Sequence, residues 1–524
     1  MPSPTARSVR YEELVTPSEH LGVLIAPRVA ELRRTLEGPA AAAYERVAIL
    51  DTSLGALRSE LREQLGVRVP AIVVGHQPEF FHAGVFAKTI AAHALAAQRG
   101  GEAIFLTVDS DLPKTAQLTI PQITSAGVRR VDVDIPGCDP QVAFEFQAPR
   151  PREHWLQFFA RIGALHESYG QSLLGAFARA WLATPGAPLP YCEAMLAGRA
   201  ATETALGLDG VRELRISQLC TTPVFRTFAA HLLLHARRMA ECYNAAQSDY
   251  RRRHRVRAAG QPVPPLLISS DAVEVPFWLV RRDEPRRRLF VTPRDGSLEL
   301  RTDNAEVGRL QLDDLAASRR HAEAWPIEHA GWQLRPRALT LSCFARFLLA
   351  DLFIHGIGGA KYDEMMEEFA EAFFGVAPAP LGCVSATLHL PLPHSRLRWA
   401  DILAARRDSR DLRHNPQRHV AGLPAPLLTE RTELVRRSQE LAAHAPRDHE
   451  SRRLVFRALR RLNEQMLEAD PWRAAKYDER VQTLEDRWQL DRVALDREYF
   501  YALHRQEALA ELVKVVQRDL QAPA

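Results

Sequence analysis

The chain has 524 residues, of which 46% are hydrophobic and 25% are charged, and its formal net charge is +4. This length predicts two to four packed units, and the composition is typical of a soluble globular protein. Because acidic residues are interleaved with the many arginines, the balance disfavours a general nucleic-acid binder.

The six cysteines are widely spaced, which excludes zinc-ribbon and thioredoxin-like spacings. Scattered single cysteines are typical of a reduced, cytoplasmic protein. The N-terminal residues lack the apolar stretch of a signal peptide. No uncharged apolar run approaches the roughly 20 residues that span a bilayer. We therefore expect a cytoplasmic protein without a membrane partner.

Residues 1–69 predict a helical lead-in, because apolar residues recur three and four apart at 28–36 and 54–65. From residue 70 the spacing of apolar residues no longer follows a helical pattern. Residues 71–74 and 103–108 predict strands joined by a helix that begins near Phe81, and 131–135 is a further candidate strand. A strand–helix–strand unit with apolar strands indicates a buried parallel sheet.

The junction between the first strand and its helix carries polar residues, which are Gly75, His76, Gln77, His82, Gly84 and Lys88. Free backbone N–H groups and the helix dipole favour anions at such a junction. Imidazole and ammonium groups there would stabilise phosphate or acyl charge. The alternative is that the histidines are structural residues with satisfied hydrogen bonds.

Asp109 and Asp111 follow the second strand. Residues that lie two positions apart in an extended segment face the same side. Ligands bind beyond the carboxyl ends of parallel strands. This pair would coordinate magnesium or orient an amine or hydroxyl. The alternative is a simple turn or helix cap.

Residues 70–260 continue with helices at 152–207, a strand at 214–217 and a long helix at 225–257 that ends in a basic run. The basic run at 251–255 indicates either a solvated helix end or a phosphate site.

Residues 261–330 predict a small β-rich insert. It begins with a proline-rich linker and continues as a meander with strands at 275–280, 288–291 and 298–301. Phe277 and Trp278 are interpreted as core residues rather than as a base-stacking platform.

Residues 331–395 return to the core and contain a glycine-rich loop between apolar helices. Three glycines within four residues indicate a sharp turn or a close approach to a ligand. The loop has neither the Walker A spacing nor the dinucleotide fingerprint. Its candidate binding residues are Gly356, Gly358, Gly359, Lys361 and Asp363.

Residues 396–524 are almost entirely helical in pattern and rich in arginine, glutamate, leucine and alanine. We expect two or three long antiparallel helices that form a coiled-coil arm, and this arm is a candidate homodimer interface.

Three segments together resemble the cysteine-adding enzymes of bacillithiol biosynthesis, the BshC-like family. Residues 75–84 (GHQPEFFHAG) resemble its GQQxxLFTGP motif, and 105–111 (FLTVDSD) resemble its FWxxxEDHD strand end. Residues 335–362 are similar to its segment that runs from LRP to YVGGPGEIAY. The three segments occur in the same order and are followed by a helical arm, as in that family.

The resemblance implies a Rossmann-like core related to the HxGH nucleotidyltransferases, with inserts and a dimerising coiled-coil arm. It implies a ligase that joins an amino acid, cysteine in that family, to an amine or amino-sugar acceptor. We expect ATP or another nucleotide, with Mg, as the cofactor that activates the carboxylate. The residues that match the family motifs are Gly75, Gln77, Asp109, Asp111, Gly356 and Gly359.

The chain departs from that family at its first two motifs. His76 stands in place of Gln, His82 in place of Thr, Val108 in place of an acid and Ser110 in place of His. The segment that ends in Lys88 is also similar to the HQPxF and GxFxK opening of WbqC-like proteins, which are linked to glycan-precursor biosynthesis.

The sequence therefore predicts a ligase-like enzyme. Its candidate catalytic residues are His76, His82, Lys88, Asp109 and Asp111. Its candidate binding residues are Gly75, Gln77, Gly84, Arg335, Gly356, Gly358, Gly359, Lys361 and Asp363, and no metal ligands are assigned. The alternatives are a non-catalytic scaffold with a partner-binding arm and a synthetase-like nucleic-acid binder that uses residues 251–257.

Overall fold

The computed structural model describes residues 21–26, 41–125, 127–167, 171–257, 263–282, 284–312, 325–395 and 397–521. The chain is a mixed α/β protein that divides into two units. The first comprises Met1–Ile120, Val131–Leu390 and Arg497–Ala524, and the second comprises Pro121–Arg130 and Pro391–Asp496.

The strands are numbered in chain order. They are β1 (Leu21–Ala26), β2 (Ala48–Ile49), β3 (Thr52–Ser53), β4 (Ala71–His76), β5 (Glu102–Thr107), β6 (Gln117–Thr124), β7 (Gly127–Asp134), β8 (Arg212–Arg215), β9 (Val273–Arg281), β10 (Glu284–Arg294), β11 (Ser297–Arg301), β12 (Glu306–Gln311), β13 (Gln333–Pro336), β14 (Leu352–His355) and β15 (Leu381–Leu388).

The α-helices are numbered in the same way. They are α1 (Ala41–Tyr44), α2 (Leu54–Gln64), α3 (Ala83–Arg99), α4 (Arg152–His166), α5 (Leu174–Ala183), α6 (Tyr191–Ala205), α7 (Ile216–Leu219), α8 (Pro223–Leu234), α9 (Ala236–His254), α10 (Pro326–His329), α11 (Ala338–Leu348), α12 (Ile357–Phe374), α13 (Trp399–His414), α14 (Ala425–His444), α15 (His449–Glu468), α16 (Pro471–Ala494) and α17 (Gln506–Gln521). Within the described ranges, none of these helices is both long and apolar enough to cross a lipid bilayer.

The first unit is built on a six-stranded sheet with the order β1-β15-β14-β4-β5-β8. The five strands from β15 to β8 are parallel, and β1 pairs antiparallel with β15 at one edge. The predicted unit β4–α3–β5 is confirmed. A second unit, β14–α12–β15, runs in the opposite direction across the sheet, so the strand order reverses between β4 and β14.

The strands of this sheet are apolar because both faces are covered. Residues 71–74 of β4 are fully buried, and so is most of β5. Helix α3 is itself mostly buried and ends at Gly100, whose φ of 60° is the left-handed conformation that glycine adopts most readily. The burial explains why these strands read as near-continuous apolar runs.

The predicted insert is a five-stranded antiparallel sheet with the order β12-β11-β10-β9-β13. Its apolar side chains, such as Val275 and Phe277, belong to the same core cluster as Val73 and Ile104 of the parallel sheet. The predicted strand at 131–135 is confirmed as β7, but it pairs with β6 in a separate two-stranded sheet.

Among its described residues the second unit contains four α-helices, α13 to α16, where two or three were expected. Helix α13 packs on α16, and α14 packs on α15. The pairing of α13 with α16 includes an ion pair between Arg406 and Glu485, with Nη2 and Oε1 2.6 Å apart. The coiled-coil geometry of the expected arm stays a prediction.

The expectation that residues 396–524 are one helical arm is wrong at its C-terminal end. Residues 497–524 belong to the first unit, where α17 packs on α3. The segment before α17 is core, because Phe500 and Tyr501 are buried and the Tyr501 ring stacks on Phe86 at 4.5 Å. A charged helical pattern did not reveal this change of unit.

Three further expectations differ from the structure. The lead-in contains strands β1, β2 and β3 as well as the confirmed helix α2, and the predicted helix at 28–36 lies outside the described residues. The long helix at 225–257 is divided at His235, which leaves the helical conformation with a ψ of 28°. The apolar segment before Gly356 ends in strand β14 rather than in a helix.

Candidate functional site

A cavity of about 680 Å³ lies at the carboxyl ends of β4 and β14. Strand pairing places Ile354 of β14 opposite Val74 of β4, so the residues that follow these strands are neighbours. Because the strand order reverses here, this is the position at which open α/β sheets bind ligands. The volume is within the usual range for small-molecule sites.

Most of the predicted site residues line this cavity. They are Gly75, His76, Gln77, His82, Gly84, Lys88, Asp111, Gly356, Gly358 and Gly359. The strand-to-helix junction after β4 and the glycine segment after β14, which are about 270 residues apart in sequence, therefore form one site.

The two histidines have opposite tautomers. His76 Nδ1 is 3.0 Å from the carbonyl oxygen of Gln77, so it carries the hydrogen and leaves a lone pair on Nε2. His82 Nδ1 accepts from the Gly84 N–H at 3.0 Å, so Nε2 carries its hydrogen and faces Glu498 Oε2 at 3.3 Å. Burial lowers the pKa of His76 well below its usual value and that of His82 to about 3, so both rings are neutral.

Lys88 is the most buried cationic side chain of the cavity. It is 3% exposed, and its Nζ donates to the Gly75 carbonyl oxygen at 2.7 Å. Burial lowers the pKa of Lys88 to about 7, with a smaller contribution from Lys114 and Arg199. A lysine with this pKa changes its charge near neutral pH.

The glycine segment is not a loop between helices, as expected, but the junction between β14 and α12. Gly356 is the N-cap residue of α12, without a side-chain cap, and Gly358 and Gly359 lie in the first turn. A Cβ atom at Gly356 or Gly358 would meet nothing within 4 Å, whereas at Gly359 it would come within 2.9 Å of His355 Cγ. The first-turn N–H groups of a helix have no partner within it, and Gly356, Gly358 and Gly359 line the cavity, so this helix start can receive an anion there.

The predicted pairing of Asp109 with Asp111 is wrong, because the strand ends at Thr107 and the chain then turns. Asp109 is fully buried and accepts a hydrogen bond from the Ser217 backbone N–H at 2.8 Å. Its role is to hold the start of α7. Asp111 faces the cavity, where it accepts from Gln77 Nε2 at 3.0 Å and pairs with Arg286 at 2.9 Å.

Arg335 and Lys361 do not line the cavity. Arg335 is buried and forms a bidentate pair with Glu145 at 2.9 and 2.7 Å. Because its guanidinium group is fully engaged, it stabilises the fold rather than binding a ligand. Arg337, two residues later, lines the cavity in its place.

Asp363 also lies behind the cavity wall, because its carboxylate pairs with Arg346 at 2.8 Å and with His355 Nε2 at 3.4 Å. Burial alone would raise the pKa of Asp363, but His355 and Arg346 hold it at about 2. Ser342 Oγ contacts the same His355 nitrogen at 3.5 Å. Since both partners share Nε2, the three residues do not form a serine–histidine–aspartate relay.

The sequence interpretation missed several residues that line the cavity. They are Trp278 and Arg286 of the antiparallel insert, Arg337 before α11, and Arg497 and Glu498 before α17. Phe277 is core, as expected, but Trp278 is half-buried and lines the cavity. The guanidinium carbons of Arg286 and Arg337 lie 4.4 and 4.0 Å from the Trp278 ring centroid. Adjacent strand residues point to opposite faces, so the pairing of Phe277 with Trp278 contained this signal.

The lining of the cavity contains more basic than acidic side chains. Its acidic lining residues are Asp111 and Glu498, and its basic lining residues are Lys88, Lys114, Arg286, Arg337 and Arg497. A cavity with this excess of basic groups and an open helix N-terminus attracts an anionic ligand.

Among the described residues, no group of three or more His, Cys, Asp and Glu side chains is arranged to hold a metal ion. Asp111 is the cavity's nearest match to a magnesium ligand, but it already accepts from Gln77, Arg286 and the Leu112 N–H. The residues present therefore do not fit a dedicated magnesium site.

The basic run at the end of α9 is paired with carboxylates. Arg253 forms an ion pair with Glu368, and His254 Nε2 lies 2.9 Å from Glu364 Oε2. This arrangement is that of a stabilised helix end rather than of a phosphate site.

Gly84→Ala is expected to destabilise the protein by about 1–3 kcal/mol, because an added Cβ would lie 2.6 Å from the Ala386 carbonyl oxygen. Gly358→Ala is the matched control. It meets no atoms and removes a helical glycine, so it should be neutral or stabilising by up to about 1 kcal/mol. Urea denaturation of both variants checks this, and equal stabilities would contradict the assigned close approach.

A scan against protein-family models finds no match for the chain, and a search of curated proteins finds none either.

Proposed function

We propose that the protein is a carbon–nitrogen ligase that joins an activated amino acid to an amine or amino-sugar acceptor. The observation that carries this proposal is the convergence of His76, His82 and Lys88 with the open N-terminus of α12 in one cavity rich in basic side chains. Such a site suits an acyl phosphate or acyl adenylate, whose negative charge it would stabilise. The fold that we propose for this core is Rossmann-like.

The chemical step follows from the tautomers of the two histidines. The amine lone pair attacks the carbonyl carbon, a C–N bond forms, and the C–O bond to phosphate breaks with its electron pair on the departing phosphate. Neutral His76, with a lone pair on Nε2, accepts the amine proton. Lys88 and the first turn of α12 bind the phosphate. A nucleoside triphosphate is the cosubstrate that would activate the carboxylate.

Exposed aromatic and aliphatic side chains in the second unit favour one further proposal. Phe456 and Trp472 are 61% and 84% exposed, and Leu454, two residues before Phe456, is 60% exposed. Contiguous exposed apolar patches mark association surfaces, and these three side chains are the most exposed large apolar ones among the described residues. We propose that these helices form a homodimer interface. The same interface would serve the non-catalytic scaffold, which is the alternative to the ligase.

The double variant His76→Asn/His82→Asn is expected to lower amine-dependent release of phosphate or pyrophosphate from ATP by about 100-fold or more, because it removes the base and a donor. Asn at 82 keeps an N-cap acceptor for α3. The assay supplies ATP, a mixture of amino acids, and glucosamine as the amine. His444→Ala is the control, since His444 is exposed in the second unit. If the double variant turns over normally, the ligase proposal fails.

A further inference from the structure

A second, smaller cavity of about 200 Å³ adjoins the first. The residues that line both cavities are His76, His82, Val85, Lys114 and Glu498. The two histidines with opposite tautomers therefore stand on the boundary between two spaces. A reaction that joins two substrates needs such a boundary, where their reacting atoms can meet.

The small cavity differs from the large one in its walls. Its body is aromatic and aliphatic, formed by Phe80, Phe81, Phe144, Tyr191, Leu118 and Ile135. Its acidic residues are Glu79 and Glu498, and its basic residue is Lys114. The large cavity has an excess of basic groups, so the two spaces favour ligands of opposite charge.

The carboxylate of Glu79 is bound by Lys114, and a ligand in the cavity can also bind it. It accepts from the Lys114 backbone N–H at 3.1 Å and lies 3.2 Å from Lys114 Nζ. The Lys114 side chain is 63% exposed, so water competes for it and weakens this pair, although the Glu79 side chain is only 19% exposed. An ammonium group inside the cavity would therefore compete effectively with Lys114 for this carboxylate.

We propose that the small cavity is the subsite for the amine substrate, a primary amine on a compact apolar body. This inference rests on the proposed ligase function and assigns it a second substrate site. The amine enters as an ammonium ion beside Glu79, and its apolar body packs against the aromatic wall. The ammonium loses one proton to solvent before the attack, and the proton released as the C–N bond forms passes to neutral His76, which lines both spaces.

Two variants test this assignment without touching the large cavity. Cys138 and Glu79 line only the small cavity. Cys138→Phe fills the space, and Cys138→Ser is its size-matched control. Glu79→Gln keeps the shape and removes the charge. Binding of benzylamine, benzyl alcohol and inorganic tripolyphosphate to the full-length protein is measured by calorimetry and ligand-observed NMR.

We expect the wild-type protein to bind benzylamine at least about tenfold more tightly than benzyl alcohol, since only the amine pairs with Glu79. Cys138→Phe and Glu79→Gln should each weaken benzylamine binding at least tenfold. Neither should weaken tripolyphosphate binding, since neither residue lines the large cavity and Glu79→Gln only releases Lys114, which does. Cys138→Ser should match the wild type. If Cys138→Phe does not fold, Glu79→Gln decides the outcome alone.

The subsite is disproved if benzylamine does not bind, if it binds no better than benzyl alcohol, or if Glu79→Gln binds it normally. Failure of the wild-type protein to bind tripolyphosphate tests the proposed function rather than the amine subsite. If tripolyphosphate fails to bind while benzylamine binding depends on Glu79, the amine subsite stands and the anionic half of the proposed function fails.

Discussion

Lys88→Met is expected to stabilise the protein by roughly 5 kcal/mol below pH 7, because the pKa of Lys88 falls from 10.5 to about 7 on folding. A lowered lysine pKa means that the folded state disfavours the charged form. The destabilisation is complete below pH 7 and disappears as the pH rises towards 10.5. The gain from methionine should therefore be largest at pH 6 and small at pH 10.

Urea denaturation of Lys88→Met at pH 6, 8 and 10 measures this effect. Lys514→Met is the control, since Lys514 is exposed and does not line the cavity, and its removal should change stability by less than about 1 kcal/mol. A Lys88→Met variant that is less stable than wild type at pH 6 would show that Lys88 is not buried as described.

The same substitution separates stability from function. A buried, destabilising charge is retained where activity requires it, so Lys88→Met should bind tripolyphosphate at least about tenfold more weakly despite its greater stability. In the wild type, tripolyphosphate affinity should fall as the pH rises through about 7, where Lys88 loses its charge. Lys88→Met should lack this step.

The first half of the site could be predicted because its signals are local. An apolar strand, a polar junction and an apolar helix lie within about 30 consecutive residues, and β4, α3 and β5 form from them as expected. The second half was harder to interpret. Strand β14 has four residues and follows α11 closely, and a short apolar run at the end of a helix does not distinguish helix from strand.

The roles of individual charged residues depended on partners that are distant in sequence. Arg335 and Arg337 look equivalent in the chain, but Glu145 engages the first and leaves the second at the cavity. Asp109 was assigned to the site on the assumption of extended geometry, and Ser217, more than 100 residues later, binds it instead. No local pattern contains this information.

Arg346→Met is expected to destabilise the protein by about 3–5 kcal/mol, because it leaves buried partners unpaired. Arg346 is 1% exposed and donates to Asp363 at 2.8 Å, to Glu367 at 2.6 Å and to the Ala379 carbonyl oxygen at 2.7 Å. These contacts join α11 to α12 behind the cavity. Methionine fills a similar volume but offers no donor, so the buried Asp363 carboxylate would lose its main partner.

Denaturation of Arg346→Met measures this cost. Arg252→Met is the control, because Arg252 lies in an exposed pair with Asp249 and its loss should change stability by less than about 1 kcal/mol. The triple variant Arg346→Met/Asp363→Leu/Glu367→Met separates stranded charge from lost packing, since removing all members of a buried ion network is often nearly neutral. We expect it to recover much of the loss. If the triple variant is as unstable as the single one, the loss comes from packing between α11 and α12 rather than from unpaired charge.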